Sequence, residues 1–504
     1  SVSIGEVTDT SGGSFLPFIR LRAPNGTQLA ASWGSLTGHI TVASAPQTGT
    51  YTVWVGSADG GGSGTGTYRL TLALTPGAFV VPGGDDGGPM TNGANHTGTI
   101  HLGDLDQWTF EASTGNAISV SIGELTDTSD GSFLPFIRLR APNGTQLATN
   151  WGSLTGHITV ASAPQTGTYT VLVGTGDGSG NGTGTYRLTL ALTPGAFIVP
   201  TGDEGGAMTN GANHTGTIHL GDLDQWTFQA NIGNAISVSI GELTDTSDGS
   251  FLPFIRLRAP NGTQLAASWG SLTGHITVAS APQTGTYTVL VGTADGPGNG
   301  TGTYRLTLAL TPGAFIVPTG DEGGPLGLGA GNEGTIHLAD LDQWTLFANA
   351  GSTITISITE LTDTNGLFYP WIRLRGPNGA QLGSSWGSTS GQFNVDAPTT
   401  GTYTVIVGTA DGPGNGTGTY RLTSSHSGQL GPVTFSISGT TTLAGVPIPN
   451  VTVTLSGGQM GQQQTNGAGG YLFTPLVGAL SYSVTPSGGQ MGQQQTNGAG
   501  GYLF

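Results

Sequence analysis

The sequence predicts an all-β protein, a series of tandem β-sandwich modules of jelly-roll type followed by a smaller C-terminal β-sandwich. Three observations lead there. The hexapeptide SVSIGE begins at Ser1, Ser119 and Ser237, and the related TISITE begins at Thr355, so the chain repeats every 118 residues. That period is the size of a domain rather than of a solenoid repeat. Within a copy, apolar and polar residues alternate with a period of two, and turn-forming PNG, SDG, TG and DGSG stretches separate the runs, the signature of half-buried antiparallel strands.

In the second copy Ile118, Val120 and Ile122 alternate with Ser119 and Ser121, and Tyr169, Val171 and Val173 with Thr170 and Leu172. Tyr186, Leu188, Leu190 and Leu192 alternate with Arg187, Thr189 and Ala191. About eight strands follow per copy: TIHL, DQWTFEAS, AISVSIGEL, FIRLRAP, TQLAT, HITVAS, TYTVLVG and TYRLTLAL. No segment has helical period. The outward Ser and Thr positions predict a hydroxylated, nearly uncharged surface. The modules are expected at 1–75, 98–193, 216–311 and 334–425, the small sandwich at 433–486, and a tail at 487–504 that duplicates SGGQMGQQQTNGAGGYLF from Ser456–Phe473. The linkers are rich in Gly, Pro and acidic residues. Each opens on an apolar run, Ala78–Pro82, Ala196–Pro200 or Ala314–Pro318, expected to dock as a strand at the module junction. Beads of this size placed end to end would extend over roughly 150 Å.

Composition narrows function. Of 504 residues 91 are Gly and 27 Pro, only 8% are charged, and the 12 basic residues, all Arg, face 29 acidic ones. A net charge of −17 without basic clusters excludes ordinary nucleic-acid binding. The absence of Cys excludes disulfides, thiolate zinc sites and a thiol nucleophile. No apolar run is long enough to span a membrane as a helix, and no leader-like segment opens the sequence, which reads as a mature form or a fragment.

The ordered string GTIHLGDLDQWTF…AISVSI…LPFIRLRAPNGTQLATNW…TGTYTVLVG…GTYRLTL resembles the bacterial pre-peptidase C-terminal domain family. Asp104, Asp106, Trp108 and Phe110 match its opening, Pro142–Gly144 its middle turn, and Gly167–Tyr169 and Tyr186 its closing strands. The resemblance implies eight-stranded sandwiches on secreted bacterial proteins, often beside a peptidase, with some relatives binding collagen and calcium. No peptidase domain is present in this sequence. Gly445–Gly457 and Thr465–Phe473 resemble carboxypeptidase regulatory-like and B-type surface-protein domains. The Lys–Asn cross-link of many B-type domains is impossible here, because the chain has no Lys.

Several residue sets invite chemistry. Glu124, Asp127 and Asp130 lie within seven residues at a strand end and turn, repeated as Glu242, Asp245 and Asp248 and as Glu360, Asp363 and Asn365. They are candidate calcium ligands, with Asp177 and Asn181 as further donors, or else aspartates of Asx-turns. The linker pairs Asp85/Asp86, Asp203/Glu204 and Asp321/Glu322 are a second acidic candidate. Trp33, Trp151, Trp269 and Trp386 recur once per copy, either as sugar-stacking platforms or as covers for one end of the sandwich. Trp108, Trp226 and Trp344 read as packing. N-x-[ST] sequons at Asn25, Asn95, Asn143, Asn181, Asn213, Asn261, Asn299, Asn415 and Asn450 would suit a glycan-decorated surface. His39, His157 and His275 of LTGHI lie on a strand pattern, and no G-x-S-x-G elbow accompanies them.

The expectation is a non-enzymatic, extracellular structural protein of a bacterial surface fibre or stalk. The alternative is a carbohydrate- or collagen-binding accessory region of a secreted hydrolase or adhesin. The first copy lacks the TIHLGDLDQWTFEA segment of the others. It therefore reads either as an excerpt of a longer repeat array or as an acceptor for a neighbour's strand, which would join molecules head to tail into a filament.

Overall fold

The computed structural model describes the chain except residues 295–297, 328, 330, 411–413, 427–433, 444–445, 458–460, 478–481 and 488–504. The duplicated tail therefore lies outside the described residues, apart from Ser487. Every described element with regular hydrogen bonding is a strand, as the period-two patterning predicts.

The second copy shows the module. Thr155–Val160, Ala117–Asp127, Gly184–Thr193 and Asn95–Ile100 form a four-stranded antiparallel sheet in that order. Gln146–Trp151, Pro135–Arg140, Gly167–Thr175 and Asp106–Ala112 form the facing sheet. The short strand Gly87–Pro89 extends that sheet in parallel along Asp106–Ala112. Between the sheets lie Ile118, Val120, Ile122, Ile137, Val171, Tyr186 and Leu188, all at 0% exposure. A tyrosine locks the turn before its own strand: the Tyr169 hydroxyl donates to the Gln165 carbonyl at 2.7 Å, which accounts for the APQTGTY phrase. Across the sheet edge Thr126 and Thr128 pair hydroxyl to hydroxyl with Thr185 and Thr183 at 2.7 and 2.8 Å.

The third and fourth copies repeat this topology. Residues 1–75 form two three-stranded sheets and hold no counterparts of Asn95–Ile100 or Asp106–Ala112. Tyr68, Leu70 and Leu72 are consequently 47%, 42% and 65% exposed, whereas Tyr186, Leu188 and Leu190 are buried.

The modules are not beads joined by their ends. The outer face of the sheet containing Ala117–Asp127, here the back face, packs against the outer face of the next module's five-stranded sheet, its front face. Contacts follow the strand direction. The Pro142–Thr145 turn meets Thr75 and Pro76, Arg138 reaches Ser1 and Thr41, and Asn181 reaches Thr37. Ser119, Ser121, Thr189 and Ala191 point out of their own sandwich and are still at most 6% exposed. The outward hydroxyls expected to form the solvent surface are therefore docking surface, because small side chains let two sheets approach. Eight sheets stacked about 10 Å apart span about 80 Å, about half the length expected of end-to-end beads.

The apolar linker run docks, but as an extended segment without a ladder. Ile198 N–H donates to the Asn92 carbonyl at 3.0 Å, and Asn92 Nδ2 donates to the carbonyls of Leu192 and Ala196 at 2.9 and 3.0 Å. Ile198 stays 49% exposed. The C-terminal strands between Thr434 and Pro486 enclose a small core of Ile437, Val453, Leu455 and Phe473.

If the back face is a docking surface, enlarging Ser121 to Leu should destabilise the protein by about 1–3 kcal/mol through overpacking. The same change at its counterpart Ser357, half-buried on the back of the fourth module, should be close to neutral. Denaturant titration of the two variants distinguishes the sites.

Candidate metal centre at the module junctions

Parallel pairing of Gly87–Pro89 with Asp106–Ala112, repeated in the next two modules, brings carboxylates that are apart in sequence together beside each junction. One linker aspartate and the two aspartates of the Asp-Leu-Asp loop converge at each junction: Asp85, Asp104 and Asp106; Asp203, Asp222 and Asp224; Asp321, Asp340 and Asp342. Within each group the nearest ligand oxygens all lie within 4.8 Å of one another.

Each donor is positioned from a different direction. Asp106 starts the strand Asp106–Ala112 with its side chain at the core edge, where Oδ2 accepts from the Tyr186 hydroxyl at 2.5 Å. That hydroxyl accepts in turn from Trp108 Nε1–H at 2.8 Å. The same chain runs Trp226–Tyr304–Asp224 and Trp344–Tyr420–Asp342. Tyr186 fits because Gly98 faces its hydroxyl; a Cβ there would lie 2.3 Å from it. Asp104 accepts from Leu105 N–H at 3.0 Å and from Arg69 of the preceding module at 2.7 Å. Arg187 and Arg305 approach Asp222 and Asp340 at 3.6 and 3.9 Å. In the second and third groups a preceding asparagine also reaches in: Asn95 donates to Asp203 at 2.8 Å and Asn213 to Asp321 at 3.0 Å.

The electrostatics are strained. Burial first, and neighbouring carboxylates second, push the Asp106 carboxyl up to about 8. Asp222 and Asp340 rise to about 7 for the same reasons, with the facing arginine pulling the other way. Asp106 Oδ1 and Asp342 Oδ1 are buried without a hydrogen-bond partner, on residues only 1% and 2% exposed. Three converging carboxylates with an unsatisfied buried oxygen suit a hard divalent cation such as Ca²⁺, which takes several oxygens in flexible geometry.

The sequence-predicted acidic sets lie elsewhere and do other work. Asp127 accepts from Ser129 N–H at 2.5 Å, Ser129 Oγ at 2.8 Å and Phe133 N–H at 3.1 Å, closing its own turn. Asp245 repeats this with Ser247 and Phe251, and Asp363 with Asn365, Gly366 and Phe368. Asp130 and Asp248 occupy left-handed backbone at φ 52° and 54°. Among the described residues, Glu124, Asp127, Asp130, Glu242, Asp245, Asp248, Glu360 and Asp363 join no group of three converging ligands. Asn365 Nδ2 donates to the Asn415 carbonyl at 2.8 Å, and Asp177 binds its own loop through Asn181 N–H at 2.9 Å. Of the linker pairs, Asp85, Asp203 and Asp321 join the groups, whereas Asp86, Glu204 and Glu322 accept from the backbone N–H of Thr99, Thr217 and Thr335. The other two carboxylates of each group come from the Asp-Leu-Asp loop, whose second acid the sequence reading left without a role.

The remaining candidates separate clearly. Trp33, Trp151, Trp269 and Trp386 are 62%, 56%, 61% and 62% exposed, so they are surface indoles rather than covers of the core. His39, His157 and His275 face the next module, where crowding and then Arg138, Arg256 or Arg373 lower each to about 4. Of the sequons, Asn25, Asn143, Asn261 and Asn450 are exposed. Asn95 and Asn213 are committed to the acidic groups, while Asn181, Asn299 and Asn415 accept from Thr37, Thr155 and Thr273 across junctions at 3.0, 3.2 and 2.9 Å.

No protein-family model matches the chain, and no curated protein matches it. Among solved structures it is similar to the pre-peptidase C-terminal domain of a collagenase from Bacillus anthracis, at 20% identity and a TM-score of 0.17 over 21% of this chain and 95% of that one. Tandem CBM51 modules of a family 98 glycoside hydrolase from Streptococcus pneumoniae match at 9% identity and a TM-score of 0.15, over 65% and 84%. A Ca²⁺-stabilized adhesin of an Antarctic bacterium matches at 14% identity and 0.11, over 76% and 92%. The assignment to β-sandwich modules in series rests on the strand topology described above.

The raised carboxyls set a pH dependence. A group whose folded pKa lies above its unfolded value binds more protons in the native state, so its stabilisation is present at low pH and lost as pH rises through the folded pKa. In chelator, raising pH from 6 to 8 should therefore lower the melting temperature through Asp106, Asp222 and Asp340. Added calcium should raise it most at pH 8, and thermal scans in the two conditions that stay parallel would remove the cation from the site.

Proposed function

We propose that the chain is a non-enzymatic, extracellular spacer, a stiff stack of β-sandwich modules whose junctions are locked by divalent cations. One observation carries this reading. Three successive junctions bury the outward-facing Ser3, Ser121 and Ser239 and Ala73, Ala191 and Ala309, and each places a linker aspartate and two module aspartates around one point while an arginine of the preceding module reaches in. A cation there would tie linker and module together beside the contact with the module before, which is where bending would start. Among the described residues no helix is long and apolar enough to cross a membrane. Solution scattering tests the proposal. The radius of gyration should increase when calcium is exchanged for chelator, and Asp104→Asn with Asp106→Asn should give the expanded value in both. A radius indifferent to calcium and to the double variant would refute a cation-locked stack.

The exposed Trp33, Trp151, Trp269 and Trp386 favour a second reading, a multivalent sugar-binding surface, since an indole stacks on a pyranose face and one recurs per module. Glycan-array binding that weakens with each Trp→Ala substitution would support it, and an empty array would leave the indoles without that role.

A further inference from the structure

We infer that the front face of residues 1–75 and the back face of the fourth module do not dock a further module of this kind in the way the internal faces do. Each face occurs four times in the chain, three times docked and once undocked.

On the front face, the second, third and fourth modules carry Leu172, Leu290 and Ile406, buried to 2%, 2% and 1% exposure. The last belongs to a small cluster with Leu341 and with Ala309 of the module before. The first module has Trp54 at this place, 51% exposed, with the guanidinium groups of Arg20 and Arg22 5.8 and 4.7 Å from its ring. A site that closes over Leu against Ala has no volume for an indole. The asparagine that accepts from the preceding module's threonine is replaced there by Ser63, whose shorter side chain does not span that gap.

On the back face, the first three modules carry Gly5, Gly123 and Gly241. A Cβ on Gly5 or Gly123 would stand 2.1 or 2.2 Å from a backbone carbon of the next module's loop, and one on Gly241 2.7 Å from the Ala339 side chain. The fourth module has Thr359 here, exposed. Its Arg421, counterpart of the arginines that cross to Asp104, Asp222 and Asp340, pairs at 2.6 Å with Glu333 of its own module, where the second and third modules have Thr97 and Thr215.

The pattern of divergence separates this from drift. The fourth copy differs most in sequence overall, and its front face docks with Trp371, Ile406 and Ala339 where the second copy has Phe136, Leu172 and Gly103. Residues 1–75 follow the second copy almost letter for letter but change at two docking residues of the front face. The head-to-tail filament expected from the strands missing in residues 1–75 would form by strand donation, a route separate from the surface that joins the modules.

The inference rests on the face-to-face junction but not on the cation, so the test is done with calcium present. Leu172→Trp and Gly123→Thr place the terminal residues inside the stack, and Asn299→Ser does so in a loop where folding is not at stake. Each should raise the radius of gyration and shorten the protease lifetime of the adjoining linker (residues 76–86 for Leu172→Trp, 194–204 for the other two). Leu125→Val, which copies Val7 of the first module away from the front face, should change neither. The unaltered chain should sediment as a single species at all concentrations. Three junction variants as compact and protected as the parent would overturn the inference, as would concentration-dependent assembly abolished by Trp54→Ala or Thr359→Arg.

Discussion

The close approach of two sheet faces at each junction is the constraint on which the rest of the molecule depends. At Gly5 and Gly123 the contact is backbone against backbone, with no room for even a methyl group. Around it the back face carries small Ser, Thr and Ala side chains such as Ser119, Ser121, Thr189 and Ala191, with the longer His157 and Arg187 reaching the next module from the flanks. The composition follows from this. A chain that hides much of its outward surface against itself has little use for Lys and Glu at the positions where isolated sandwiches place them. Its outward arginines lie flat over Phe136, Phe254 or Trp371 at the front face, where the guanidinium plane takes up little depth.

The acidic site lies beside this approach. The parallel pairing of Gly87–Pro89 with Asp106–Ala112 delivers the linker carboxylate to Asp104 and Asp106, and Arg69 of the preceding module reaches Asp104 across the junction, so protons or a cation must resolve the repulsion. The Trp108–Tyr186–Asp106 chain links this response to the core, since the hydroxyl that holds Asp106 is fully buried against both sheets. A change in charge at the junction thus bears on the packing of the module that follows it.

Strand number, order of the repeats and core side chains were legible in the sequence because alternation reports which face of its own sandwich a residue occupies. Alternation does not report whether the opposite face meets water or another sheet. Ser121 and Thr189 therefore read as surface, and the stack read as a string of beads. The acidic centre was missed because Asp85 and Asp106 are 21 residues apart in sequence and meet through the parallel pairing of Gly87–Pro89 with Asp106–Ala112, which no alternation pattern announces. Local turn chemistry gave TDTSDG a stronger signature than a site assembled from linker and strand. Trp33 and its counterparts were ambiguous, since the same spacing after a strand serves an aromatic that faces the core end and one that faces solvent.

Near-identical copies suggest unlimited addition, but identity between repeats and openness of their faces are separate properties. A stack grows only if the front of the first module and the back of the last match the buried junctions, and both depart at the residues in closest contact. An exposed Trp54 under two arginines and an exposed Thr359 beside a self-paired Arg421 suit surfaces that meet solvent or a partner of another kind. Each internal module adds about two sheet spacings, roughly 20 Å, and every such addition depends on a back-face position like Gly5 or Gly123, where a Cβ would meet the backbone of the next module's loop.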